Sequence, residues 1–121
     1  MMETMRIGYG VPVRVQLVDS AGFAYDMRRC RCLSAELRRG EDGDAVPVQD
    51  AIYDEYTNTV MVRLCAKNLS SPGSYSLNLG WTDRLGRAMT SGWFDAVEMV
   101  EGIPRRCIVV NVRAVAREAL S

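Results

Sequence analysis

Residues 72–81 read Pro-Gly-Ser-Tyr-Ser-Leu-Asn-Leu-Gly-Trp, which puts Tyr75, Leu77, Leu79 and Trp81 at every second position with small or polar residues between them. A period of two buries one face of a strand and leaves the other to solvent. The Thr82-Asp83-Arg84-Leu85-Gly86-Arg87 segment that follows is a connector into a second strand carrying Trp93 and Phe94. A long antiparallel hairpin is therefore the predicted core of a β protein.

The rest of the chain repeats this pattern in shorter pieces. Val11, Val13, Val15 and Leu17 form a first strand, with Pro12 favouring its start or an edge, and Asp19 to Gly22 supply a turn. Leu33, Ala35 and Leu37 give a second strand its apolar face, and the polar 38–44 run makes a surface loop. Val46, Val48 and Ile52 predict a third strand, and Val60, Val62 and Leu64 a fourth. Residues 88–100 are the sixth; Trp93 and Phe94 are adjacent there and parity shifts towards Val97 and Met99, which a bulge near Gly92 or Asp95 reconciles. Residues 107–112 are a seventh. Beyond them Val112, Val115, Ala116 and Ala119 fall on one stripe and predict a short C-terminal helix.

Six to seven short strands with no helix between them point to an antiparallel β-sandwich, a small barrel being the competing all-β arrangement. A chain of 121 residues holds one such domain. The organisation expected is an N-terminal arm over 1–10, the sandwich over 11–100 and a C-terminal extension over 101–121.

The 15 basic and 15 acidic residues cancel, so bulk charge recruits neither nucleic acid nor an anionic membrane. The N-terminus has no basic stretch followed by a long apolar run, and the longest apolar run elsewhere, Cys107-Ile108-Val109-Val110, is far below spanning length. A cytosolic origin is expected, and there Cys30, Cys32, Cys65 and Cys107 are read as free thiols packed like small hydrophobes. Because an unexported chain never meets the glycosylation machinery, the Asn68-Leu69-Ser70 sequon carries no weight.

The chain contains no histidine, which removes the usual general base, the commonest metal ligand and every histidine-dependent triad. No catalytic residue, cofactor or metal is predicted. Asp50, Asp54 and Glu55 flank a turn, where solvated carboxylates are common. Glu41-Asp42-Gly43-Asp44 lacks the spacing and distal glutamate of a calcium loop and reads as a polar loop. Cys30-Arg31-Cys32 puts two thiols on one strand face, without the two-residue spacing of a zinc knuckle. Arg28, Arg29, Arg31, Arg38 and Arg39 crowd one region and form the candidate interaction patch, suited to phosphate or an acidic partner surface. The competing reading is a solvated face paired with Glu36, Glu41 and Asp42.

Taken in order, the first strand, the 19–22 turn, Phe23-Ala24-Tyr25-Asp26-Met27, the second strand, Gly73-Ser74-Tyr75-Ser76-Leu77, Asp83-Arg84-Leu85-Gly86-Arg87 and Trp93-Phe94-Asp95-Ala96-Val97-Glu98-Met99-Val100 resemble a known module. It is the immunoglobulin-like N-terminal module of tailed-phage and prophage baseplate proteins, of the upper-baseplate type, and of fibre proteins. The resemblance implies an immunoglobulin-like sandwich without enzyme activity that attaches to other virion proteins or to itself, made in the bacterial cytoplasm and then carried in the virion. Members of that family continue into a coiled coil or receptor-binding domain, whereas this chain ends at Ser121, soon after Val100, which implies an adaptor or decorating subunit. Two other functions are compatible with the residues: a carbohydrate- or protein-binding sandwich using Tyr9, Tyr25, Tyr53 and Tyr56, and a metal or redox regulator using the four cysteines.

Overall fold

The structure, a computed structural model, describes residues 10–117. Its strands are β1 (Val11–Val18), β2 (Arg31–Arg39), β3 (Val46–Val48), β4 (Ala51–Asp54), β5 (Thr59–Leu64), β6 (Gly73–Thr82), β7 (Ala88–Val100), β8 (Ile103–Arg105), β9 (Ile108–Arg113) and β10 (Val115–Ala116), with a 3₁₀ turn at Ala66–Leu69. They form two sheets, one ordered β4-β5-β1-β9 and the other β10-β7-β6-β2-β3, with β8 added to β7. The chain is all-β, as expected, and is built as two facing sheets. Among the described residues no helix is long and apolar enough to cross a membrane.

The core lies between the sheets. Val13, Val15 and Leu17 of β1 and Val60, Val62 and Leu64 of β5 meet Leu37 of β2 and Tyr75, Leu77, Leu79 and Trp81 of β6, all of them buried. The alternation that predicted β6 is thus the alternation that fills the core. β7 pairs with β6 along its whole length, but the register slips twice, leaving Ala96 extra between Asp95 and Val97 and Ser91 extra between Thr90 and Gly92. Each extra residue swaps the faces of the strand beyond it. The bulges fall where the sequence required them, and two rather than one are used.

Three expectations are corrected. The sandwich is not purely antiparallel, because β9 runs parallel to β1, pairing Val15 with Val109 and Leu17 with Val112. The predicted third strand is two strands in different sheets: β3 pairs with β2, and β4 with β5. Pro47 lacks an amide hydrogen and suits the outer position that β3 takes. The predicted C-terminal helix is replaced, as far as Ala116, by extended chain. At Ala114, whose N–H donates to the Val18 carbonyl at 2.8 Å, the chain leaves one sheet, and β10 then joins the other against Met89 and Thr90. The rest of that helix, and the N-terminal arm save Gly10, lie outside the described residues.

Residues 102–104 belong to a hairpin. Glu101 and Gly102 have φ of 52° and 79°, the two left-handed residues of a type I′ turn, and they fold β8 back onto the end of β7.

Candidate arginine cleft

At the end of the sandwich where β2 begins and β6 ends, the 26–30 segment and the 83–87 turn face each other across a cleft of about 760 Å³. Its lining includes Arg28, Arg29, Arg84 and Arg87 against Asp26 and Asp83, a net charge of +2. The antiparallel pairing of β2 with β6, in which Arg31 lies opposite Thr82, is what brings two segments so far apart in sequence together.

Two of the four arginines are held by their own loops. Asp26 accepts the Arg28 Nε at 3.1 Å and Nη2 at 3.0 Å, a two-point fork, and also the Arg28 backbone N–H at 2.9 Å. These bonds pull the Asp26 carboxyl down to about 2. Asp83 is buried and organises the opposite wall: its oxygens accept the Leu85 N–H at 2.9 Å, the Arg87 N–H at 2.8 Å and the Arg87 Nε at 2.8 Å. Led by the Arg87 amide, these donors outweigh burial and hold its carboxyl below the usual range. Arg29 and Arg84 are exposed and have no carboxylate within ion-pair distance among the described residues.

The floor is neutral. Tyr25 meets Trp81 edge-on, with ring centroids 5.6 Å apart, and its hydroxyl accepts the indole N–H at 3.2 Å. Burial pushes both the Tyr25 hydroxyl and the Cys30 thiol up, so neither carries charge at neutral pH. A positively charged rim over a neutral floor suits an oxyanion.

The structure divides the predicted patch. Arg28 and Arg29 line the cleft, and Arg31 begins the strand beside it. Arg38 and Arg39 close the same strand, and nine residues at about 3.3 Å each put the two ends of β2 roughly 26 Å apart. At that far end Arg38 lies over the Trp93 ring, 4.2 Å from its centroid, and both arginines border a smaller groove with Asp44 and Tyr75. Arg84 and Arg87 were not in the predicted patch, because a turn read by itself does not announce which loop it will face.

Other candidates are dispersed. Cys30 and Cys107 are half-buried, Cys32 and Cys65 exposed, and all four are free thiols. Among the described residues no three His, Cys, Asp or Glu side chains are grouped to hold a metal. Asp50 and Asp54 flank β4 and pair with different arginines, Arg63 at 3.8 Å and Arg14 at 3.4 Å. Tyr53 donates to Asn58 at 2.6 Å, Tyr56 is fully exposed at the turn, and Tyr9 lies outside the described residues.

A second surface stands out on the outer face of the smaller sheet. Strand pairing aligns Ile52, Met61, Arg14 and Ile108 in one transverse row, with Val110 beyond it. Ile52, Ile108 and Val110 are 60%, 73% and 55% exposed. Arg14, in the middle of the row, is occupied by Thr57 at 2.8 Å, Thr59 at 2.9 Å and Asp54 at 3.4 Å. Comparison with protein-family models, curated proteins and solved structures finds no match to this chain.

Proposed function

We propose that this chain is a non-enzymatic assembly module of a phage or prophage particle, working in its tail, baseplate, fibre or capsid through protein–protein contacts. On this reading the sandwich is a variant of the immunoglobulin-like module that the sequence resembles, with β1 and β9 as its parallel pair. The chain is made in the bacterial cytoplasm and ends in the virion, bound to other virion proteins or to further copies of itself.

The observation that carries the reading is the row of Ile52, Met61, Ile108 and Val110 on an open sheet face. Exposed apolar side chains gathered on one strand face mark contact surfaces, and each aliphatic side chain fully covered by a partner contributes roughly 1.5–3 kcal/mol. The single charge among them is already neutralised, so covering the row leaves no bare cation behind. The absence of histidine from the chain agrees with a role that needs no proton transfer.

The test is made on particles induced from the bacterium that encodes the chain and purified on a density gradient. Mass spectrometry is expected to find the chain in the particle band at a fixed ratio to the major tail or capsid protein. Substituting Ile108→Ser and Val110→Ser together is expected to remove it from the band while the isolated variant stays folded. Particles that form complete without the chain in them overturn the reading.

A further inference from the structure

We propose that the arginine cleft receives the acidic 41–44 loop of a second copy of this chain, giving a head-to-tail contact. The proposal rests on the assembly reading and specifies one partner for it.

The two halves of the contact sit at opposite ends of one strand. β2 starts directly after Cys30 of the cleft and ends directly before Gly40, where the loop begins. Glu41, Asp42 and Asp44 are all exposed, and none forms an ion pair among the described residues. Three carboxylates are therefore exposed at one end, beside Arg38 and Arg39, and a cleft of charge +2 lies at the other. The whole chain is neutral, so copies meet without long-range repulsion and these local fields set their orientation.

The loop is built to present its charges rather than to fold over them. Gly40 takes a left-handed φ of 64° and donates its N–H to the Ser74 carbonyl at 3.0 Å, anchoring the loop's start to β6. Gly43 packs so tightly that an added Cβ would lie 2.2 Å from the Arg39 carbonyl oxygen, which pins the other end. A loop already held in shape loses little freedom on docking.

The receptor side is equally prepared. Arg28 and Arg87 are fixed by Asp26 and Asp83, which leaves Arg29 on one wall and Arg84 on the other to take carboxylates. Guanidinium forks match carboxylates in two-point geometry. A nucleic-acid ligand fits less well, because the one aromatic ring in the lining, Tyr25, is packed edge-on against Trp81 and gives bases no platform. Since cleft and loop point in opposite directions, the contact is heterologous: each copy that docks leaves one cleft and one loop free for the next.

Sedimentation velocity and light scattering on the full chain test this. At low ionic strength the mean mass of the wild type is expected to rise past the dimer with concentration. It is expected to return to the monomer near 1 M salt, where the Debye length is about 3 Å. A cleft variant, Arg29→Gln with Arg84→Gln, and a loop variant, Asp42→Asn with Asp44→Asn, leave the Asp26–Arg28 and Asp83–Arg87 pairs intact and create no new complementary pair between the two variants. Each alone is expected to stay monomeric. Mixed in equal amounts, the intact cleft of one takes the intact loop of the other, and the mixture is expected to stop at a one-to-one dimer. A wild type that remains monomeric or stops at a dimer, a variant that associates as the wild type does, or a mixture without dimer overturns the proposal. A chain incorporated in particles yet monomeric in isolation removes this contact and leaves the assembly reading standing; a self-associating chain missing from particles does the reverse.

Discussion

The hydroxyl of Ser91 accepts the backbone N–H of Leu79 at 2.8 Å and donates to the Gly92 carbonyl at the same distance. Ser91 is the extra residue of the first bulge in β7, and the slip in register there falls between Leu79, which pairs with Gly92, and Gly80, which pairs with Thr90. The side chain fills the place that a carbonyl would otherwise hold. Substituting Ser91→Ala leaves a buried amide without an acceptor, which costs about 1–3 kcal/mol. Urea denaturation is expected to show the loss as a lower midpoint with an unchanged slope, and a midpoint equal to the wild type's would show that the bulge does not depend on this bond.

The neighbouring glycine makes a separate demand. Gly92 has φ of 65°, and an added Cβ would meet nothing within 4 Å. The cost of Gly92→Ala is therefore backbone strain alone, about 1–2 kcal/mol, and Gly92→Asn, which tolerates the left-handed region better, is expected to cost less. Thermal melts of the two variants check the order. If alanine and asparagine are equally tolerated, the strand does not hold this conformation in solution.

A bulge near Gly92 or Asp95 was legible because the adjacent Trp93 and Phe94 point to opposite faces, so an unbroken strand cannot bury both with Val97 and Met99; that there would be two was not. What the sequence left open was pairing. Residues 107–112 read as a strand, yet nothing local states that their partner would be β1, or that the two would run parallel. The C-terminal stripe misled for a related reason. Val112, Val115 and Ala116 are spaced for one helix face, but the same spacing arises when a strand breaks at Ala114 and its two halves enter different sheets. For the cleft, Arg28 and Arg29 were identifiable as a basic cluster, whereas Arg84 joined them only through the register of β2 with β6. Arg38 and Arg39 left the cluster for the opposite reason: a strand long enough to span the sandwich carries its ends apart.

The four thiols are expected to separate under alkylation of the native protein. Burial raises Cys30 and Cys107, which lowers their thiolate fraction at mildly alkaline pH as well as their access. Cys32 and Cys65 are exposed. With iodoacetamide, peptide mass spectrometry is expected to find Cys32 and Cys65 modified first, and Cys30 and Cys107 more slowly until the protein is unfolded. Early labelling of Cys30 would mean that the floor of the cleft is open to solvent.

Acid should act through the same aspartates that shape the cleft. Asp26 is lowered to about 2 by the Arg28 fork, Asp83 is lowered chiefly by the Arg87 amide, and Asp54 is lowered by Thr57, Tyr56 and Arg14 against the opposing effect of burial. A carboxyl whose folded value is depressed stabilises the folded state fully above its unfolded value near 4. That contribution is lost as the pH falls through the folded value. The melting temperature is thus expected to be flat through neutrality, to fall from about pH 4, and to keep falling towards the value of Asp26. Replacing Asp83→Asn keeps an acceptor oxygen but removes the charge, so the variant is expected to start lower at neutral pH and to lose less on acidification. Asp26→Asn should behave the same way with a smaller neutral-pH deficit, because Asp26 is exposed while Asp83 is buried beneath its turn. Calorimetry across this range decides it: an acid limb as steep in a variant carrying both Asp26→Asn and Asp83→Asn as in the wild type would place the acid sensitivity elsewhere, with Asp54 the remaining lowered carboxyl among the described residues.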